Sequence, residues 1–341
     1  MKKSLVFATD VWDAEMLAIG RLAEERGFHR LWTTERPGRD GLIRAAELAM
    51  STQAIGVASG IAFAFTRNPV GMAGTVAELR RLSRGRFTLG LGTGTRGVRS
   101  QWYGESFDHP APRLAEYADL VRAALAARSE PVDFSGTYYQ AKIPAFELVG
   151  DGQNAAPVPV YGSGLNPVML RTMARRCDGV AVHPLACATA YLAEVAGPAL
   201  AAGAAAAGRE SHAAAWQLVA VDEAPERAVA AARRQLAFYF STPSYRRVAD
   251  ICGWGEAAQA IREEFLKVGA DWDTVGRLVP AEMIDDLCPS GTPDDVAKKI
   301  SQRIEVLSRY GIDEVVFEPS AIGSQRTEVI SAFRLAVLAA A

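Results

Sequence analysis

Cysteine, histidine and net charge are all scarce in this chain of 341 residues. There are four cysteines and four histidines, and 37 basic against 39 acidic side chains leave a formal charge of −2. Cys177, Cys187, Cys252 and Cys288 lie far apart with no C-x-x-C pair. They are expected to be reduced structural thiols. A zinc site needs clustered cysteine and histidine, so no metal is expected. The even charge leaves no electrostatic footprint for a nucleic-acid partner. No run of about eighteen apolar residues is visible, so no membrane span or membrane partner is expected. Met1-Lys2-Lys3 is followed by only a short apolar run before Thr9-Asp10. That is too brief for a secretory signal, and the expected compartment is the cytoplasm. A hydrophobic fraction of 49% is too high for a disordered chain.

What is present is alternation. Short β-branched or apolar runs at 3–8, 28–34, 54–65, 86–91, 159–161, 179–182, 214–221 and 314–317 alternate with longer amphipathic runs. The latter fall at 13–26, 41–50, 70–82, 113–128, 167–176, 191–207, 225–240, from Thr292 onward, and 324–339. Gly27 is a left-handed stop for the first helix. Thr292-Pro293-Asp294-Asp295 is a helix start, with a threonine cap, proline in the first turn and acids at the positive end. Strands that alternate with helices imply a parallel sheet. An open doubly wound sheet and a closed barrel share that signature. Eight units without a compositional break favour an α/β (β/α)8 TIM barrel forming a single domain over 1–341. Two stretches break the rhythm and are expected as insertions after strands 4 and 7. One, at about 129–156, contains a hairpin around Val132-Asp133-Phe134. The other, at about 241–290, is rich in aromatics.

In a barrel the chemistry sits just after the strands. Gly92-Thr93-Gly94-Thr95-Arg96-Gly97 spells G-x-G-x-x-G. A dinucleotide fingerprint must open a helix at once and lead to an acid after the next strand. Here Trp102, Tyr103, Phe107 and two prolines intervene, which favours a glycine-rich barrel loop that lets a flat ring approach the backbone. Gly162-Ser163-Gly164-Leu165-Asn166-Pro167 enters a helix directly. With Asn166 as a cap and Pro167 in the first turn, it is either a phosphate site made of backbone N–H groups or an ordinary turn. Ser59-Gly60-Ile61 inside a strand marks a bulge, a ligand approach or a barrel kink. Glu35 and Arg36 follow the second strand, as a site pair or as solvated charges. His183, before Pro184, follows the sixth strand and could contact a cofactor or move a proton. His29 and His212 precede strands and belong to the opposite face. The run Phe238-Tyr239-Phe240-Ser241-Thr242-Pro243-Ser244-Tyr245, with Trp254, is core of an inserted helical cap or the wall of a substrate pocket.

Taken together, these residues resemble the luciferase-like flavin and deazaflavin oxidoreductases. The matching stretches are Leu31-Trp32-Thr33-Thr34-Glu35, Thr66-Arg67-Asn68-Pro69, the run from Leu82 to Gly94, and Cys177-Asp178-Gly179-Val180. Val182-His183-Pro184, Phe238-Tyr239-Phe240-Ser241-Thr242-Pro243 and Gly253-Trp254-Gly255 are similar to an actinobacterial coenzyme F420-dependent group. The resemblance implies a coenzyme at the barrel mouth, with its phosphate on Gly162, Ser163, Gly164 and Leu165. Thr93 and Gly94 would lie beside it. It further implies a non-proline cis peptide at Ser59-Gly60 or Gly60-Ile61, behind the ring. A homodimer is expected by the same analogy.

Two departures bear on the reaction. The sugar-phosphate dehydrogenase branch of the family carries a histidine where this chain has Arg36, and a catalytic glutamate where it has Thr95. Glucose 6-phosphate oxidation is therefore not expected. The candidate catalytic residues are Glu35, Arg36, Arg96, Trp102 and His183. The expected activity is hydride transfer between the deazaflavin C5 and a small organic substrate, reducing an activated C=C or C=N bond. The alternatives are an FMN-dependent monooxygenase on the same barrel and a coenzyme-binding protein without turnover.

Overall fold

The computed structural model describes residues 1–127, 131–145, 157–209 and 211–341. Eight parallel strands close in chain order into a (β/α)8 barrel. They are Lys2–Phe7, Arg30–Thr33, Gly56–Ser59, Phe87–Gly92, Val160–Gly164, Gly179–Val182, His212–Val221 and Glu314–Pro319. Every position of Arg30–Thr33, Phe87–Gly92, Gly179–Val182 and Glu314–Pro319 is buried. Such continuous burial is what a parallel sheet under helices requires. The chain divides into two compact units interleaved in sequence. One is Met1–His29, Val182–Pro198 and Ala213–Ala341; the other is Arg30–Ala181 and Ala199–His212.

In the first unit, strand Glu314–Pro319 pairs with both Lys2–Phe7 and His212–Val221. Helix Ala14–Glu25 is capped by Asp13, whose carboxylate accepts from the N–H groups of Glu15 and Met16. Its buried residues Met16, Ile19, Gly20 and Ala23 form a single stripe. Helix Pro293–Ser308 starts with a Thr292–Asp295 capping box, as the sequence suggests. Phe7 stacks on Phe333 of the last helix at 5.5 Å.

In the second unit, Arg86 ties a strand to a helix end. It donates to the carbonyls of Ile55, Ala49 and Thr52. The hairpin Val132–Ser135 with Gln140–Ile143 forms as expected. It is docked by Glu116 of helix Pro110–Ala126, which accepts from the N–H groups of Thr137, Tyr138 and Tyr139 at 2.9, 2.7 and 2.6 Å. A Cβ on Gly136 would lie 2.1 Å from Oε1 of Glu116, so a side chain there would displace the carboxylate that docks the hairpin. The rest of the expected insertion, at 129–130 and 146–156, lies outside the described residues, as does Arg128, the expected helix end.

Three expectations need correction. The run at 54–65 is not one strand: it breaks at a cis Gly60–Ile61 bond into Gly56–Ser59 and Ala62–Phe63, then turns through Ala64–Thr66. The run at 191–207 begins earlier and contains a wider turn. A short Thr189–Tyr191 piece leads into a π-helical Leu192–Ala196 and then Gly197–Ala207. This helix, Thr189–Ala207, is by length and composition apolar enough to cross a membrane. The expectation of no such run overlooked it because Glu194 and small residues interrupt the pattern. The stretch at 241–290, where an inserted helical cap was one of the two expectations, carries the helices Arg246–Ile251, Gly255–Phe265, Trp272–Gly276 and Ala281–Leu287.

Candidate active site

The second unit carries the ends of strands two to five. The Gly60 N–H donates to the Thr33 carbonyl at 2.7 Å. Ser59 Oγ accepts from the Gly90 N–H and donates to the Gly90 carbonyl, both at 2.9 Å. The cis bond falls at Gly60–Ile61, one of the two expected positions. Beyond it, the Phe63 N–H donates to Glu35 Oε2 at 3.0 Å. Arg67 Nη1 reaches both oxygens of Glu35, at 2.8 and 2.9 Å, and Nη2 reaches Asp40 at 2.9 Å. Asp40 in turn caps helix Gly41–Ser51 through Leu42 and Ile43.

The Glu35 side chain is 5% exposed. Burial pushes its carboxyl above the usual carboxylate range, against the lowering pull of Arg67. Burial lowers Arg67 too, yet the neighbouring Glu35 carries it above its ordinary value. The two shifts disagree on whether ionising the pair is favourable. The short hydrogen bonds decide for an ion pair, since a guanidinium stays charged. Glu35 is thus a brace on the segment after Gly60, with its oxygens committed to Arg67 and the Phe63 N–H.

The glycines of the fourth strand end lie close against a neighbouring segment of the chain. A Cβ on Gly92 would fall 2.6 Å from Ile61 Cδ1, and one on Gly94 would fall 3.2 Å from the Phe63 ring. These glycines admit the chain's own neighbouring segment. Gly94 also sits at φ +69°, where a side chain is strained. Thr93 donates its hydroxyl to the Gly94 carbonyl. The loop then enters a π-helical turn, Val98–Trp102, and helix Pro110–Ala126 follows only later, which removes the dinucleotide fingerprint.

Of the candidates nearby, Arg96 lies over the Phe107 ring at 5.0 Å. Trp102 is 69% exposed. Arg36 sits in a turn bridged to Arg39. None of the three is brought to Glu35 by any hydrogen bond or ring contact among the described residues. Sequence reading passed over Arg99, which is fully buried against Phe65 and Tyr103 with Glu105 at 3.4 Å. One arginine among several in a polar stretch gives no signal of burial.

Gly162, Ser163 and Gly164 close the fifth strand, so they belong to the strand itself. A Cβ on Gly162 would lie 2.2 Å from Met173 Sδ, and one on Gly164 would lie 3.1 Å from Leu170. Small residues here let helix Pro167–Arg176 lie close on the strand. Asn166 holds the cap position, but its side chain makes no capping bond, contrary to expectation. Asp13, Asp40, Asn68 and Thr292 all cap their helices. The N–H groups of Val168 and Met169 therefore receive no capping bond from Asn166, and a helix start left so is a ready anion site. Ser163 lies half-buried at its side. The residues present fit a phosphate.

The first unit carries His183. Its Nδ1 accepts from the Leu185 N–H at 3.2 Å, and its Nε2 lies 3.1 Å from the Tyr245 hydroxyl. The ring stacks on Tyr245 at 4.8 Å and meets the edge of Tyr239 at 5.3 Å. Burial lowers the imidazole to about 3, so it is neutral at ordinary pH. Tyr239 donates to Glu318 Oε1 at 2.7 Å, and Glu318 is 4% exposed. Burial, then Glu318, raises both tyrosines. The aromatic run is visible in the sequence, but its link to His183 spans 62 residues and is not. Glu318 was missed because the last strand runs to Pro319 rather than ending at 317.

Among the described residues no group of three or more His, Cys, Asp or Glu could hold a metal. What the strand ends offer is braced backbone and a bare helix start in one unit and oriented phenols in the other. The chain belongs to the luciferase-like monooxygenase family, which matches residues 13–309. It is 32% identical to a Mycobacterium tuberculosis protein over 291 residues, covering 83% of this chain and 84% of the other. It is 30% identical to the 5,10-methylenetetrahydromethanopterin reductase of Archaeoglobus fulgidus over 342 residues, covering 97% and 96%. The fold matches the coenzyme F420-dependent tetrahydromethanopterin reductase of Methanopyrus kandleri with a TM-score of 0.76 at 23% identity, covering 98% and 97%.

Proposed function

We propose that the protein binds a phosphorylated deazaflavin of the F420 type and transfers a hydride between it and a small organic substrate, reducing an activated C=C or C=N bond. The observation that carries this reading is the bare start of helix Pro167–Arg176 beside Ser163. It stands in a chain whose relatives include F420-dependent reductases. Ser163 and the N–H groups of Val168 and Met169 hold the phosphate; no lysine or arginine is needed there. The segment from Gly60 to Phe63 bears on one face of the ring. Glu35 and Arg67 keep that segment in place, and Gly92 and Gly94 leave it room. When bound, the coenzyme supplies the hydride at C5. The protein's share is positioning, which brings the reacting carbons to about 3–3.5 Å.

Titration of the purified protein with the deazaflavin and with FMN tests this. Quenching of deazaflavin fluorescence at micromolar concentration is expected. Micromolar affinity for FMN with none for the deazaflavin overturns the assignment. Substrate-dependent oxygen uptake with reduced FMN replaces it by the monooxygenase reading.

A further inference from the structure

We propose that Arg99 and Arg113 form a binding site for the carboxylate of an organic substrate, and that Glu105 holds its place until the substrate displaces it. This rests on the hydride-transfer reading and names its substrate class. The whole cluster falls between Phe65 and Tyr139, inside one compact unit. Arg99 is 0% exposed, yet its Nε, Nη1 and Nη2 make no hydrogen bond among the described residues. A guanidinium is all donors and keeps its charge. Buried donors are normally matched by an acceptor, and leaving them without one is destabilising. Phe65 and Tyr103 offer Arg99 ring faces alone, at 5.3 and 5.9 Å.

The carboxylate beside it is that of Glu105, 3.4 Å from Arg99 and 3.7 Å from Arg113. Those distances are too long for the hydrogen bonds a guanidinium makes to a carboxylate. Arg67 and Glu35, in the same unit, show the committed form of such a pair at 2.8 and 2.9 Å. Against the lowering effect of burial, Glu35 carries Arg67 above its ordinary value. Burial lowers Arg99 in spite of the pull of Glu105. Glu105 is 40% exposed, so it touches both solvent and the buried guanidinium. An anion arriving from solvent meets the two arginines by taking its position. Arg113 is already oriented, with Nε donating to the Tyr139 hydroxyl at 3.2 Å and its guanidinium over the Phe65 ring at 4.3 Å. Arg99 itself stands on the π-helical turn Val98–Trp102, an irregularity frequent at functional sites. Tyr103, in the same loop, meets Phe63 edge-on at 6.1 Å, which ties the loop to the segment assigned to the coenzyme ring. Paired guanidinium forks select a planar anion with two oxygens. A neutral amide of the same shape brings no charge to match them.

The test titrates coenzyme-free protein by calorimetry with benzoate, its neutral counterpart benzamide, and inorganic phosphate. Glu105→Gln removes the competing charge. Benzoate should bind this variant at least about tenfold more tightly than the wild type, the weight of a charged hydrogen bond. Glu105→Gln/Arg99→Lys keeps the cation without its fork and should lose about as much again. Benzamide should not bind measurably. Absence of saturable benzoate binding in Glu105→Gln overturns the proposal, as does an affinity within twofold of wild type. Benzamide binding as tight as benzoate overturns it too, and phosphate binding tighter than benzoate overturns the carboxylate class. The deazaflavin Kd should be unaffected by benzoate; a Kd that rises in proportion to benzoate gives the site to the coenzyme and overturns the assignment to a substrate. Benzoate binding with the expected pattern in a protein that binds no deazaflavin supports the site and sinks the hydride-transfer reading instead.

Discussion

Gly92 and Ile61 claim the same space: a Cβ on the glycine would stand 2.6 Å from the Cδ1 of the isoleucine. The fourth strand is therefore shaped around the segment that leaves the third. Gly92→Ala overpacks this contact, which costs about 1–3 kcal/mol. The displaced Ile61 carries with it the backbone assigned to the coenzyme ring. Denaturation in urea should show the stability loss, and deazaflavin titration should show weakened binding. Trimming the partner in Gly92→Ala/Ile61→Ala should recover much of the lost affinity. Unaltered affinity in the single variant would remove this segment from the coenzyme site.

Glu35 was singled out as a catalytic candidate, and its partners recast it as a brace. Removing it leaves Arg67 with Asp40 and a long bond to the Thr66 hydroxyl, and strips the Phe63 N–H of its acceptor. Breaking a buried ion pair costs about 3–5 kcal/mol. Arg67 is a quarter exposed, which places the expected loss near the lower figure. Glu35→Ala should lower the urea midpoint accordingly. A stability change under about 1 kcal/mol, the range of exposed pairs, would show that the brace carries no weight.

How much of this was readable beforehand follows from distance along the chain. The barrel follows from local alternation, since each strand and helix announces itself by period and cap. Glu35, Gly60 and His183 stand where a strand-end rule points. Their roles do not follow, because those depend on partners far away. Arg67 is 32 residues from Glu35, and Tyr245 is 62 from His183. The purpose of Gly92 is fixed by Ile61, which no period in the sequence links to it. Asn166 occupies a cap position by every local sign, yet its side chain turns elsewhere. Local pattern locates a cap residue; it does not choose the rotamer.

That unused cap yields a pair of opposite effects. In Asn166→Asp a carboxylate would meet the bare N–H groups of Val168 and Met169. The charge interacts favourably with the helix start, worth about 0.5–1 kcal/mol. The same carboxylate would repel a bound phosphate and compete for its donors. Thermal or urea denaturation should show a more stable protein, while the deazaflavin Kd should rise by about tenfold or more. Higher stability with unchanged affinity would place the phosphate elsewhere.

His183 makes the protein's acid response predictable. Burial holds its folded-state value at about 3, against 6.5 for a free imidazole. On acidification the unfolded chain therefore takes the proton first. Stability is intact above about pH 6.5 and falls as the pH drops toward 3, by at most about 1.4 kcal/mol per unit from this group. Proton magnetic resonance should show no imidazole titration at His183 between pH 5 and 8. Urea denaturation at pH 5 and 7 should show a smaller acid loss in His183→Asn than in the wild type, after the offset common to both pH values is removed. An imidazole that titrates near 6.5 would mean that His183 is solvated and charged in mild acid. Its Nδ1 could then no longer accept from Leu185, and the fixed direction of the Nε2 bond to Tyr245 would be lost with it.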